Sequence, residues 1–335
     1  MPDTRVCVII KTMGCRTRRS PLIRLVAIGI IASSILVLGV AFSSGQAISD
    51  LPALYGEVIY RYNEKSPLRL FVIGIGHRDA VTRKNGSRTS RVQAEVYMIG
   101  DWLIDREGVQ LLLPEGFFSE GPVRVKETGV VPSGTKTLCG ELADMEALEA
   151  KLADESAFVN AEMLLQAQHP VGLRQVEDSS LYRAAQDCLL GLTQGARGIQ
   201  ETVLLNSRLS YLQERRTAAI LQRIPEVIQE EFLQGSIKNR KAVLTIGASH
   251  LPSMIRYLNE KRITIHAPLF TSGQNGDYAS DLNLVKEEFA VFVILPRTIA
   301  QDRKILEASR LENIVDRARN QPLATILPDV SQASN

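Results

Sequence analysis

The sequence predicts an α/β fold: a mainly parallel central sheet built from two related βαβ halves, with a helical insertion at about 141–234 and an N-terminal hydrophobic segment ahead of it. Three observations predict this. Nearly continuous apolar runs at LRLFVIGI (68–75), VQLLL (109–113) and KAVLTI (241–246) have the composition of strands covered on both faces. The order strand, helix, strand occurs twice, at 68–113 and at 241–266, as βαβ units require. The stretch between the two copies is dominated by helical patterning.

Each element has its own warrant. GEVIYRY (56–62) is rich in β-branched and aromatic residues, and the link Asn63–Pro67 has turn composition, so a hairpin with 68–75 is expected. Beyond a polar loop at 78–88, Val92, Val96, Ile99 and Leu103 recur at helical spacing, and Gly108 ends the stripe. Val109–Leu113 leads as a buried strand into Pro114-Glu115-Gly116. Residues 116–141 are rich in Gly, Pro and Thr and are expected to be irregular, and 141–167 is helical. Val171–Val176 is a short strand ending at Glu177-Asp178, with Ser179 as the expected N-cap of the next helix. From there to about Gln234 the chain is helical, with breaks expected near Gly191–Gly198 and at Pro225. Lys241–Ile246 is a strand, Leu251–Arg262 a helix, Ile263–His266 a strand, and Val291–Leu295 a late strand.

The 335 residues carry 39 Lys+Arg against 37 Asp+Glu, a net charge of +2, with 45% hydrophobic and 23% charged residues. That mixture excludes wholesale disorder and fibrous architectures. The surplus is local. Residues 1–24 hold six basic side chains and one acid, so the remaining chain carries 33 basic and 36 acidic residues, a net charge of −3. Directly after Arg24 come 18 residues without a charge, Leu25–Phe42, followed by SSGQA. A basic start, an apolar stretch and small residues form the pattern of a secretory signal. The same 18 residues also reach the lower limit for spanning a hydrocarbon core of roughly 30 Å. Residues 1–47 are therefore expected to be a signal peptide or a membrane anchor, and 48–335 one α/β domain, membrane-anchored or secreted, on the non-cytoplasmic side. Cys7 and Cys15 stay on the cytoplasmic side, whereas Cys139 and Cys188 travel outward, where either a disulfide or two separate buried thiols is expected. Basic and acidic residues are mixed along the helices without a stripe or an aromatic platform, which excludes a nucleic-acid partner.

Chemistry concentrates in a few positions. Gly74-Ile75-Gly76-His77 and Gly247-Ala248-Ser249-His250 each follow an apolar strand and precede a helix. The carboxyl ends of parallel strands are where open α/β sheets place ligands. Glu115, just beyond VQLLL, joins them if the three strands are neighbours. Two imidazoles and a carboxylate match the donor set of hydrolytic metal sites that keep a position for water. The expected metal ligands are accordingly His77, His250 and Glu115, with Glu115 alternatively the general base. Glu177, at another strand end, is a further catalytic participant or a residue that orients the others. His169 and His266 lack the Gly-x-x-His frame and are expected to be structural. The third glycine of a dinucleotide fingerprint is missing after Gly76, and Ser249 lacks a Gly-x-Ser-x-Gly elbow.

At these residues the chain resembles the TraB/PrgY/GumN/Tiki family of the erythromycin-esterase/ChaN-like superfamily. The resemblance rests on GIGH (74–77), GASH (247–250), LLLPEG (111–116) and VLTIGASHLPSMIRYL (243–258). It is supported by VGLRQVEDSSLY (171–182) and the pair Glu214-Arg215, and it spans about residues 68–266. The resemblance implies an α/β fold of two related halves with both Gly-x-x-His histidines and the Glu at one site. It implies a divalent metal ion, manganese or cobalt in some members, and hydrolysis of a peptide or small-molecule substrate. Other members are linked to haem, so a non-catalytic haem- or peptide-binding protein using the same strand edge is the alternative. Leu251-Pro252-Ser253 stands where the family often has a glycine.

Overall fold

The computed structural model describes residues 48–76, 87–118, 138–153, 160–195, 198–268 and 276–320. The chain divides into Met1–Gly45 and Gln46–Asn335, and every described residue belongs to the second unit. The segment Leu25–Phe42, Cys7, Cys15, His77 and most of 116–141 lie outside the described residues. Among the described residues no helix is long and apolar enough to cross a membrane.

The chain runs β1 (Gly56–Tyr62), β2 (Arg69–Ile75), α1 (Ser87–Glu107), β3 (Leu111–Pro114), α2 (Leu138–Ala153), α3 (Ala161–Gln168), β4 (Gly172–Leu173) and α4 (Ser179–Thr193). It continues with α5 (Ile199–Leu233), β5 (Lys241–Gly247), α6 (Leu251–Glu260), β6 (Arg262–Ile265) and β7 (Tyr278–Asp281). The last elements are α7 (Asn283–Lys286), β8 (Ala290–Pro296), α8 (Arg297–Gln301), α9 (Arg303–Ala308) and α10 (Glu312–Asn320).

Six strands form the central sheet in the order β1-β8-β2-β5-β3-β4. All pairs are parallel except β1 with β8. The apolar runs become the middle of this sheet: Leu70–Ile73, Leu111–Leu113, Ala242–Ile246 and Val291–Leu295 are buried throughout, so side chains on both faces are covered. Phe71 and Phe292 stack across neighbouring strands with ring centroids 5.4 Å apart. Helix α1 packs on β2 and β8, and α2, α3 and α8 pack on α1. Gly108 ends α1 with φ +69°, and its amide and that of Val109 return to Ile104 O and Leu103 O, the left-handed helix stop that glycine adopts without strain.

Five expectations change, the first being the strand expected over Val171–Val176, of which only Gly172–Leu173 pairs, with β3. The hairpin between 56–62 and 68–75 does not form, because β8 is inserted between them and pairs with both. Turn composition at 63–67 marks a reversal of direction, whereas the partner is decided by which apolar strand must be buried, and β8 is buried along its whole length. The strand, helix and strand at 241–266 are present, yet β6 pairs antiparallel with β7 in a separate two-stranded sheet. Helix α5 passes through Pro225, since the flanking Leu221, Ile224, Val227 and Ile228 are buried and tertiary burial outweighs the missing hydrogen bond. The N-cap of α4 is Asp178, whose carboxylate accepts from the amides of Ser180 and Leu181.

At the amino ends of the strands, Glu107 from the end of α1 binds Arg69 of β2 at 2.7 Å and Lys241 of β5 at 3.1 Å. This staples the two central strands in register, and the register carries through to Ile75 opposite Gly247. The first glycine of GIGH has a packing role, because a Cβ on Gly74 would lie 2.6 Å from Leu251 Cδ1 and 2.9 Å from Leu295 Cδ2. On Gly76 it would meet only Ile299 Cδ1, at 3.9 Å. Gly74→Val is expected to lower stability by about 1–3 kcal/mol through overpacking. Gly76→Ala is expected to stay within about 0.5 kcal/mol of the parent, with urea denaturation as the measurement for both.

Candidate functional site

The parallel strands end at one edge, and the buried side chains of Glu177, Arg216, Thr217 and His250 gather there. Strand β3 continues one residue further along β5, with the Glu115 amide donating to Thr245 O at 2.8 Å. Gly116 then turns the chain at φ +71° and the Phe117 amide returns to Pro114 O, which leaves Glu115 at the second position of a tight turn whose third position favours glycine. Beside it, β5 ends at Gly247, whose amide donates to Glu115 Oε2 at 2.6 Å. The chain enters α6 through a short turn, Ala248–His250, that places His250 inside. His250 is 2% exposed. Glu177 lies beyond β4, which is confined to Gly172–Leu173, and its carboxylate is fully covered.

The fourth member comes from the middle of α5. Arg216 Nε donates to Glu177 Oε1 at 2.9 Å and its Nη2 to Glu177 Oε2 at 3.0 Å. The same Nη2 donates to Glu115 Oε1 at 2.7 Å. One guanidinium therefore spans two strand ends. Burial works against its charge, but the hydrogen bonds and charge of Glu177, then those of Glu115, outweigh burial and hold its pKa above the ordinary arginine value. The Tyr182 ring lies over it, 5.0 Å from Cζ.

His250 is oriented by the residue after Arg216. Thr217 Oγ1 lies 2.6 Å from His250 Nδ1 and 2.9 Å from Gln213 O. The carbonyl can only accept, so the single hydroxyl proton goes to Gln213 and the hydrogen between Thr217 and His250 belongs to Nδ1. This network assigns the tautomer, leaving a lone pair on Nε2 in the neutral ring. Among the described residues Nε2 has no hydrogen-bond partner, although Glu115 Oε1 is 3.2 Å away.

Of the residues singled out in the sequence, Glu115, Glu177 and His250 meet here. Glu115 approaches His250 directly, and Glu177 joins both through Arg216. His77 lies outside the described residues, three positions past Gly74, and the last described residue before it is Gly76, beside the end of β5. Among the described residues no group of three or more His, Cys, Asp or Glu side chains has the arrangement of a metal site. Arg216 and Thr217 are absent from the sequence-based site. Their signal is spacing: Leu212, Arg216, Ile220 and Ile224 step by four along the buried face of α5, so an arginine stands where the pattern calls for an apolar residue. The adjacent pair turns elsewhere, Glu214 accepting from Arg256 and Tyr257 of α6 and Arg215 stacking 4.4 Å from the Tyr278 ring.

The other two histidines each face an aspartate. His169 Nε2 sits 2.8 Å from Asp101 Oδ1, which ties the end of α3 to α1. His266 is exposed and faces Asp277 Oδ2 at 3.4 Å. Cys188 is a buried free thiol packed with Ala185 and Leu212, while the Cys139 side chain lies outside the described residues. No family model, no curated protein and no solved structure matches the chain.

Replacing Arg216 by Met leaves two buried carboxylates facing each other and is expected to lower stability by about 3–5 kcal/mol. Arg216→Lys keeps the charge but loses the fork to Glu177, so it should recover only part of that loss in the same urea titration. The hydrogen bond and charge of Asp101 raise the His169 pKa against the opposing effect of burial. A raised native value means the stabilisation is complete below the unfolded histidine value of about 6.5 and is lost as pH rises through the native value. Asp101→Asn should therefore reduce the melting temperature at pH 6 and leave it nearly unchanged at pH 9.

Proposed function

We propose that residues 48–335 are a metal-dependent hydrolase acting on peptide bonds, exported or held at a membrane by the basic and apolar segment at 1–47. The TraB/PrgY/GumN/Tiki resemblance and its two related halves belong to the same proposal. The observation that carries it is His250: a buried imidazole whose Nδ1 is engaged by Thr217 and whose Nε2 has no hydrogen-bond partner among the described residues. Buried polar atoms are nearly always satisfied, and an imidazole fixed through one nitrogen with its other lone pair bare is the form that ligates a metal. The carboxylate oxygen 3.2 Å from Nε2 supports the same role.

His250 would hold the ion together with His77 and Glu115. A bound divalent ion supplies Lewis-acid activation, which makes water a nucleophile near neutral pH. The rest falls to this chain's own groups. Glu115 Oε1, beside the imidazole, accepts the proton of the attacking water, while the Gly247 amide fixes Oε2. Arg216 steadies the carboxylate from the other side and stabilises negative charge developing beside it. Glu177 holds Arg216 in place through two parallel hydrogen bonds.

The test is metal content by elemental analysis and turnover of internally quenched peptides by the full chain and its variants. His77→Ala and His250→Ala are expected to lose the metal and to reduce turnover by about 100-fold or more. Glu115→Gln should reduce turnover comparably, and its metal content separates the two roles of Glu115, as proton acceptor or as ligand. Full metal occupancy in all three variants would refute the assignment. Binding of haem or peptide without turnover under any divalent metal would instead favour the non-catalytic alternative.

A further inference from the structure

Besides its two carboxylates, the guanidinium of Arg216 has an aromatic ring stacked against it. Tyr182, in the first turn of α4, lies over Arg216, and Phe118 meets Tyr182 edge-on with centroids 4.9 Å apart. Phe118 is 38% exposed and is the one exposed aromatic residue among the described residues. The other large apolar side chains exposed to that degree are the aliphatic ones of α4 and α5. Phe118 follows the turn that carries Glu115, only three positions along the chain. Going inward, the order is an exposed ring, a half-buried ring, a buried cation and two buried carboxylates, the last of them beside His250.

A ring serving only as a lid over Arg216 needs Tyr182 alone. Phe118 meets Tyr182 edge-on and is itself 38% exposed, so part of its apolar surface stays uncovered. Apolar surface beside a buried polar site is the make-up of a ligand subsite: an apolar wall with a few converging polar groups. Aromatic rings accept another ring edge-on or offset-stacked, and they favour apolar over charged occupants.

We propose that Phe118 and Tyr182 form a specificity subsite that takes an apolar, preferably aromatic, side chain of a peptide, next to the bond presented to Glu115 and His250. This rests on the hydrolase reading above for the peptide substrate. It adds which residue of the peptide is recognised and by which side chains.

The probes are two quenched peptides that differ at one residue, Phe or Asp, and an N-methylated, non-cleavable version carrying 4-fluorophenylalanine for fluorine NMR. The full chain is expected to cleave the Phe peptide about 10-fold or more better in kcat/KM, the range one apolar contact supplies. Phe118→Ala should remove that preference by raising KM for the Phe peptide about 10-fold more than for the Asp peptide, and Phe118→Trp should restore it. Cleavage with no Phe preference, or an equal loss for both peptides in Phe118→Ala, overturns the subsite and leaves the hydrolase standing. No cleavage of either peptide, with fluorine-detected binding that disappears in Phe118→Ala, removes the hydrolase and keeps the subsite. Absence of both cleavage and binding removes both.

Discussion

The bond network of Arg216 is the constraint on which the carboxyl edge of the sheet depends. A buried guanidinium is tolerable only when its donors are met by acceptors of opposite charge, and here they come from residues 39 and 101 positions away. Satisfying it forces α5 to cross beside the ends of β3 and β4 at one depth and rotation. With that rotation set, the next residue, Thr217, necessarily faces His250. One ion-pair network thus fixes the positions of both glutamates directly and of the histidine by way of its neighbour.

The two ends of the sheet are held by opposite arrangements of charge. At the amino edge one carboxylate, Glu107, gathers two cations, Arg69 and Lys241. At the carboxyl edge one cation gathers two carboxylates, Glu115 and Glu177. Between them β2 and β5 stay in unbroken parallel register over seven pairs. That register brings the ends of the two Gly-x-x-His strands level, Ile75 opposite Gly247. Its glycines divide the work: Gly74 makes room for Leu251 and Leu295, whereas Gly247 turns its amide to Glu115.

What the sequence discloses follows from which forces are local. Strands β2, β3, β5 and β8 are legible because burial on both faces writes a continuous apolar run, and the positions of Glu115 after β3 and of His250 after β5 follow from those runs. The partners of β1 and β6 are not legible: both segments have the composition of strands, but pairing is a contest among distant segments that composition does not score. Asn63–Pro67 reverses the chain as expected and still joins strands separated by β8. Arg216 escapes for a related reason. In a 35-residue helix with many charges, a single inward arginine is visible only as a break in the buried stripe, and what fills the break, Glu115 and Glu177, lies far away in sequence.

The two glutamates differ in what their oxygens are left to do. Both oxygens of Glu177 are taken by the fork of Arg216 in a fully covered position, an arrangement suited to holding an arginine and not to exchanging a proton. Glu115 receives the Gly247 amide at Oε2 and one arm of Arg216 at Oε1, and that second oxygen also lies beside the imidazole. Because Arg216 spends its geometrically strongest contact on Glu177, its hold on Glu115 depends on one N–H. Any step that changes the charge at Glu115 is then felt by the guanidinium without dismantling the clamp that fixes α5. On the proposed hydrolase reading, support and chemistry are then separated within a single ion-pair network, with Glu177 giving the first and Glu115 the second.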